Sequence, residues 1–164
     1  MGTCSGFSGC YIASANNFSK SVTIEVSSEL CEIARGHIKK ISERFVVINK
    51  LFDDTIDDFL HEGLSGIDIA YIDGHHEKLA TLHYFERIKP MLNPDSVVIF
   101  DDIYWSKDMY DAWTILRQMN GVKVSINAGK FGLCIWNVTT QKNNTIMLDF
   151  HDYTGYWKIE KGNY

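Results

Sequence analysis

Hydrophobic and polar positions follow two patterns that alternate along the first 120 residues of the chain. One pattern is a short run of apolar residues, which is typical of a buried strand. In the other, between these runs, hydrophobic residues lie three or four positions apart, which is helical spacing. The alternation of strands and helices predicts an α/β fold, a Rossmann-like parallel sheet flanked by helices. The predicted strands, rich in β-branched and other apolar residues, are residues 22–26, 45–49, 67–73 and 96–101.

The pattern changes after residue 121. Residues 122–126 and 131–138 are two apolar segments separated by only four residues, which is too short for a parallel crossover. They therefore predict an antiparallel β-hairpin at the end of the sheet. We expect residues 1–138 to form the domain and residues 139–164 to form a C-terminal tail. The tail is rich in aromatic residues, and it is a candidate surface extension, cover for the sheet edge or contact surface of a homodimer.

Composition and charge narrow the functional classes. The 164 residues are 45 % hydrophobic and 23 % charged, as in a globular domain with a sizeable core. A formal charge of −5 disfavours nucleic acid and anionic membrane as partners. No apolar run approaches the roughly 18 residues of a membrane-spanning helix, and the start lacks the features of a signal peptide. The four scattered cysteines favour reduced thiols in a cytoplasmic protein over a zinc ribbon.

A glycine-rich turn opens the chain, with Gly2, Thr3 and Gly6 as its main candidates for ligand binding. Such a turn lets the backbone approach a ligand and opens a helix whose amides attract an anion. A dinucleotide fingerprint needs glycines at offsets 0, 2 and 5, where this chain has Gly2, Cys4 and Phe7, so that motif fails. A second spacing, with glycines at offsets 0, 2 and 4, is matched at two of its three positions, Gly2 and Gly6. The alternative to ligand binding is a turn with a purely structural role.

Glu25 lies near the end of the first predicted strand, nineteen residues after Gly6. An acidic side chain at this position can accept hydrogen bonds from both hydroxyls of a ribose. The alternative is a surface carboxylate. We expect Glu25 to bind a ribose.

Three carboxylates follow two neighbouring predicted strands: Asp73 ends one, and Asp101 and Asp102 end the next. Parallel strands lie about 4.8 Å apart, so these side chains could converge. Converging carboxylates need a cation or raised pKa values, and oxygen ligands favour Mg²⁺, Ca²⁺ or Mn²⁺. Asp101 and Asp102 face one ion only if the chain turns between them. Loop capping, or catalysis by one aspartate alone, are the alternatives.

His75 and His76 directly follow Asp73. Adjacent histidines do not share a face and no cysteine is near, so zinc is not favoured. Imidazole exchanges protons near neutral pH, which makes either histidine a candidate general base. The alternative is a solvent-facing pair at a helix start.

Four segments together resemble class I S-adenosylmethionine-dependent methyltransferases, in the small O-methyltransferase-like branch. The resemblance covers about residues 2–138, and residues 100–106 resemble a bacterial subgroup. It implies the strand order 3-2-1-4-5-7-6, with the seventh strand antiparallel. The segments are residues 2–9, 22–26, 67–74 and 98–105.

The resemblance implies a role for each candidate residue. The turn from Gly2 to Gly6 would hold the methionine part of S-adenosylmethionine, and Glu25 would hold the ribose. Phe52 and Asp53 would border the adenine, although Leu51 stands where relatives often have a polar residue. Asp73 would lie near the reactive methyl group.

The resemblance does not decide whether the chain binds a divalent cation. Metal-dependent relatives have Asp-Asn where this chain has Asp101 and Asp102. The change adds negative charge to the predicted metal site of Asp73, Asp101 and Asp102. Mg²⁺ or another divalent ion there would lower the pKa of the acceptor hydroxyl. Without a metal, Asp73, His75 or His76 would take the proton.

The expected activity is O-methylation of a small-molecule or sugar-type acceptor. A truncated, non-catalytic binding module and a dinucleotide-binding oxidoreductase are the alternatives. Only Met1 precedes the glycine turn, so we expect the first strand to be missing and the turn to be unanchored. On that expectation the chain binds the cofactor weakly, and residues 145–149 are a candidate to fill the vacant strand position.

Overall fold

The computed structural model describes residues 1–15, 20–141 and 145–150 of the chain. The chain divides into two units, Met1–Gly63 and Leu64–Tyr164. Each unit has its own sheet. None of the helices in the described ranges is long and apolar enough to span a membrane.

The first unit consists of two parallel strands and three helices. The strands pair in register from Ser21↔Phe45 to Glu25↔Asn49, so their carboxyl ends share one edge. Ser27 caps the start of the second helix, because its hydroxyl accepts a hydrogen bond from the N–H of Leu30 at 3.3 Å. The elements are α1 (Phe7–Ser14), β1 (Ser21–Glu25), α2 (Ser28–Ile38), β2 (Phe45–Asn49) and α3 (Phe52–His61).

The second unit contains a five-stranded mixed sheet in the order β3-β4-β6-β5-β7. β3 and β4 are parallel, and β6 runs antiparallel to both β4 and β5. The predicted hairpin is therefore confirmed as β5 and β6. The elements are β3 (Ile67–Ile72), α4 (Lys78–Ile88), a 3₁₀ turn (Lys89–Met91), β4 (Leu92–Phe100), α5 (Lys107–Leu116), β5 (Val122–Asn127), β6 (Gly132–Trp136) and β7 (Ile146–Asp149).

The two sheets confirm the α/β class and most of the implied strand order. The pair β1-β2 corresponds to the second and third strands of the resembled fold. The run β3-β4-β6-β5 corresponds to its order 4-5-7-6, with β6 as the antiparallel strand. β4 begins at Leu92 rather than at residue 96, where the sequence predicted it, and its register against β3 is irregular between Ile67 and Ile69.

The tail forms one strand that the sequence pattern did not place. β7 pairs in parallel with β5, so it extends this sheet edge and does not fill a vacant position beside β1. Both terminal nitrogens of Arg117 donate to the carboxylate of Asp149, at 3.1 and 3.0 Å. Cover of the sheet edge is confirmed for residues 146–149. The aromatic residues Tyr153, Tyr156 and Trp157 lie outside the described residues, and the homodimer stays a prediction.

Aromatic side chains form the core of the second unit. The ring of Phe85 meets those of Phe100 and Trp136 edge-on, with centroids 5.4 and 5.5 Å apart. Trp113 is buried against Phe100 and covers Gly132. A β-carbon on Gly132 would lie 2.6 Å from the Trp113 ring, so this glycine is required by packing.

Substituting Gly132→Ala is expected to lower the free energy of unfolding by about 1–3 kcal/mol, because the buried indole must shift. Urea denaturation followed by circular dichroism measures this change. Gly36→Ala is a comparison variant in the interior of α2, where a β-carbon meets nothing within 4 Å and alanine is expected to raise stability by about 0.5–1 kcal/mol. A Gly132→Ala variant as stable as the unchanged chain would show that the Trp113 contact does not exclude a β-carbon at this position.

Candidate functional site

The glycine turn is anchored to β1 of the first unit. The N–H groups of Gly2 and Thr3 donate to the carbonyl of Ile24 at 3.1 and 3.3 Å. The hydroxyls of Thr3 and Thr23 are buried and lie 2.6 Å apart. The turn is therefore anchored to the strand that follows it, and the expectation of an unanchored turn is wrong. Weak binding of the cofactor by this chain stays a prediction.

Gly6 has two structural reasons to be glycine. Its φ of +88° lies in the left-handed region that side chains disfavour. A β-carbon there would also lie 3.0 Å from the Cα and Cβ atoms of Ala34 on α2. Gly6 thus lets α1 start close to α2 and fixes the direction in which the first amides of α1 point.

Glu25 is held at the carboxyl end of β1 by both of its oxygens. Oε2 accepts a hydrogen bond from the N–H of Cys4 at 2.9 Å, and Oε1 accepts one from the N–H of Ser27 at 3.0 Å. A carboxylate has about four acceptor positions, so each oxygen keeps one for a ligand. The half-buried side chain can accept two hydroxyl hydrogen bonds in a fixed orientation.

Two residues that hold this region were missed by sequence reasoning. The amide of Asn49 donates to the carbonyls of Glu25 and Val26 at 3.0 and 2.8 Å. Nδ1 of His37 lies 3.1 Å from the carbonyl oxygen of Ser5 in the turn. Asn49 ends β2 opposite Glu25, so inspection of every strand end would have found it. No local pattern distinguishes His37 from a surface histidine of α2.

Phe52 and Asp53 occupy the first turn of α3, directly after the end of β2. Both are half-buried, while Leu51 before them is exposed and provides no side-chain cap. They lie at the same sheet edge as Glu25, because Glu25 and Asn49 are partners in the register. Their contact with adenine stays a prediction.

Asp101 is the most buried carboxylate among the described residues of the second unit, and it extends β4 at its carboxyl end. Its N–H donates to the carbonyl of Ile72 at 3.0 Å. Oδ2 accepts a hydrogen bond from the Tyr71 hydroxyl at 2.7 Å, and Oδ1 accepts one from the N–H of Asp102 at 2.8 Å. Burial and the bond to Asp101 raise the pKa of Tyr71 well above its usual value, so this phenol stays a donor.

The chain turns at Asp102, whose φ is +52°. This turn brings the Asp101 and Asp102 carboxylates to one point, as the sequence required for a shared partner. The partner is the ammonium of Lys130, with Nζ 3.3 Å from Asp101 Oδ1 and 3.5 Å from Asp102 Oδ1. Burial opposes the charge of Lys130, but the two carboxylates outweigh it and raise its pKa.

His76 is the histidine that lies among the carboxylates. Its Nε2 is 3.5 Å from Asp73 Oδ1 and 4.0 Å from Asp102 Oδ2. Burial and the charge of Asp101 raise the pKa of Asp73, while His76 opposes that shift. His75 instead is exposed, with Nδ1 3.1 Å from the Tyr84 hydroxyl.

Backbone strain is concentrated at these positions. Five non-glycine residues of the described part of the chain have a positive φ, and four of them belong to the candidate regions. Such conformations cost free energy and cluster at functional sites, where neighbouring contacts maintain them. The four are Cys4, His75, His76 and Asp102.

The side chains predicted to bind a divalent cation do not fit one. Within residues 1–15, 20–141 and 145–150, no group of three or more histidine, cysteine, aspartate or glutamate side chains is arranged to hold a metal ion. Both oxygens of Asp101 already accept hydrogen bonds, and Lys130 lies between Asp101 and Asp102. Asp73 contacts His76 instead.

Lys130 and Tyr71 were not singled out from the sequence. Lys130 lies in the four-residue loop of the hairpin, which looks like an ordinary turn. It reaches Asp101 only because β6 pairs with β4, with Gly132 opposite Phe100. Tyr71 is the second-last residue of β3, and its partner Asp101 follows the neighbouring strand β4.

Comparison with known proteins identifies the class. Residues 1–103, more than half of the chain, match a family model described as a methyltransferase domain. A search of the curated proteins gave no match.

Solved structures share the fold at low sequence identity. An O-methyltransferase from Bacillus cereus in complex with SAH has a TM-score of 0.69 and 21 % identity, covering 83 % of this chain and 71 % of that one. TomG is an O-methyltransferase from Streptomyces achromogenes involved in tomaymycin synthesis, and its structure contains SAM. It has a TM-score of 0.67 and 18 % identity, covering 83 % of this chain and 70 % of that one. An rRNA methylase from Streptococcus thermophilus has a TM-score of 0.62 and 12 % identity, covering 83 % of both chains. At these identities the likeness shows the fold alone.

Proposed function

Because the chain belongs to the methyltransferase-domain family and is an S-adenosylmethionine-dependent methyltransferase, we propose that it methylates a hydroxyl of a small-molecule or sugar-type acceptor. The observation that carries the proposal is the Glu25 carboxylate, fixed by two backbone N–H groups at the end of β1. The hydroxyl acceptor is inferred from the O-methyltransferases of similar fold.

The first unit binds the cofactor. Glu25 accepts hydrogen bonds from the two ribose hydroxyls through its remaining lone pairs. The turn of Gly2, Thr3 and Gly6 presents backbone amides to the carboxylate of the methionine part, as helix N-termini do for anions. Phe52 and Asp53 border the adenine.

His76 is the proposed general base of the reaction. The acceptor oxygen attacks the methyl carbon of the sulfonium, a C–O bond forms, and the C–S bond breaks with its electron pair going to sulfur. SAH is the product. The hydroxyl proton passes to the imidazole of His76, and Asp73 and Asp102 stabilise the imidazolium that results. No step of this scheme uses a metal ion.

Methyl transfer from labelled S-adenosylmethionine to a panel of acceptors tests the proposal. The panel contains simple phenols, catechols, sugars, carboxylic acids and ribosomal RNA, and the readout is labelled product together with SAH. We expect product only with hydroxyl compounds of low molecular mass. Transfer to carboxylic acids or RNA alone would contradict the acceptor class, and cofactor binding without any transfer would favour a non-catalytic binding module.

A cytoplasmic location is also part of the proposal. All four cysteines, Cys4, Cys10, Cys31 and Cys134, are free. Free thiols are typical of proteins kept in a reducing compartment.

A further inference from the structure

Lys130 is the resident cation of the acidic cluster formed by Asp73, Asp101 and Asp102. We infer that its ammonium takes the place of a divalent metal ion between Asp101 and Asp102, and that methyl transfer by this chain needs no metal. The activity part of this inference rests on the proposed function, whereas the metal-binding part does not.

The first argument is the set of donors around Asp101. This side chain is only 5 % exposed, so its charge must be compensated within the protein. The Tyr71 hydroxyl, the N–H of Asp102 and the Lys130 ammonium all donate to it. These bonds use the lone pairs that a hard cation would need, so metal binding would require that several of them break.

The second argument is the position of the Lys130 side chain. Nζ lies within 3.5 Å of an oxygen of Asp101 and of an oxygen of Asp102. An ion ligated by those oxygens would lie beside a positive charge, and like charges at such separation repel strongly in partly buried surroundings. The ammonium and a divalent ion therefore exclude each other.

The third argument is that the fold fixes Lys130. The carbonyl of Lys130 accepts a hydrogen bond from the N–H of Ile103 at 3.1 Å, which ties the hairpin loop to the segment after Asp102. Nζ also lies 5.4 Å from the centre of the Phe131 ring, within the range of a cation–π contact. An ordinary surface lysine lacks such constraints, so this ion pair belongs to the architecture of the sheet edge.

The role assigned to Lys130 is that of a positioning residue. It offsets one of the two negative charges of Asp101 and Asp102, and so lowers the net negative charge that His76 experiences from the cluster. The side chain is half exposed, at 52 %. An ammonium has three protons, and the one not directed at the carboxylates can hydrogen-bond a polar group of the acceptor.

Binding of Mn²⁺ to the chelator-treated chain tests the inference directly, with electron paramagnetic resonance as the readout. We expect no stoichiometric binding by the unchanged chain. Lys130→Met should raise the affinity for Mn²⁺ by at least about tenfold, because it removes the competing charge and leaves the carboxylates uncompensated. Lys130→Arg keeps the charge and should behave like the unchanged chain.

Lys123→Met is the matched control. Lys123 is a lysine of the same hairpin, with Nζ 2.9 Å from Asp95, and its removal frees a single exposed carboxylate. This variant should gain no Mn²⁺ affinity. If Lys130→Met does not fold, Lys130→Gln provides a polar substitute of similar length.

The activity arm uses EDTA and added Mg²⁺. The unchanged chain should keep its rate of methyl transfer under both conditions, and Lys130→Met should lose activity. Stoichiometric Mn²⁺ binding by the unchanged chain, lost in Asp101→Asn, would overturn the inference, as would a Lys130→Met variant with unaltered Mn²⁺ affinity. If no acceptor is methylated, the proposed function fails while the Mn²⁺ result still decides the role of Lys130.

Discussion

Replacing His76 with alanine is expected to lower the rate of methyl transfer by about 10²–10⁴-fold, the usual contribution of a positioned general base. The imidazole lies between Asp73 and Asp102, so it is the side chain of this cluster best placed to receive a proton and to be stabilised afterwards. Initial rates at saturating cofactor and acceptor measure the effect.

The neighbouring histidine provides the matched control for this prediction. His75→Ala removes the same ring one position away, where it lies against Tyr84 rather than against the carboxylates. We expect this variant to keep most of its activity, and both variants to bind S-adenosylmethionine as the unchanged chain does. Equal losses in the two variants, or a larger loss in His75→Ala, would assign the proton transfer to another group.

The fold was largely predictable because its signals are local. Apolar runs with β-branched residues marked β1 to β4. Ser27 and Ser106 cap the helices that follow β1 and β4, because each hydroxyl accepts a hydrogen bond from a backbone N–H three residues later. The short loop between β5 and β6 permitted only a hairpin. β7 was not predicted, because its four residues are exposed and their pairing with β5 depends on partners distant in sequence, such as Arg117.

The candidate site was predictable only at its strand ends. Glu25, Asp73 and Asp101 were found because side chains that follow parallel strands meet at one edge of a sheet. Lys130 was missed, and so a metal was expected where an ammonium lies. Its contact with Asp101 arises from the β4–β6 pairing and from the positive φ of Asp102, neither of which leaves a pattern in the sequence.

Replacing Glu25 with glutamine is expected to weaken the binding of S-adenosylmethionine by about 10- to 150-fold. Hydrogen bonds to a charged group contribute about 1.5–3 kcal/mol, and every 1.4 kcal/mol corresponds to a tenfold change in Kd. The substitution keeps the shape of the side chain, but one of its two oxygens becomes an NH₂ group that cannot accept from a ribose hydroxyl. Isothermal titration calorimetry with S-adenosylmethionine and with SAH measures both affinities, which should fall together because the two molecules share the ribose.

The result has to separate lost ribose contacts from a disturbed turn, because Glu25 also accepts from the N–H groups of Cys4 and Ser27. In Glu25→Gln the side chain retains one oxygen, so it can still accept from only one of these two donors. Comparing titrations of adenosine and of methionine resolves this: loss of ribose contacts weakens adenosine alone, whereas a disturbed turn weakens methionine as well. Glu29→Gln removes an exposed carboxylate from the first turn of α2 and should leave every affinity unchanged. Undiminished binding of S-adenosylmethionine by Glu25→Gln would remove the ribose from the proposed site of the first unit.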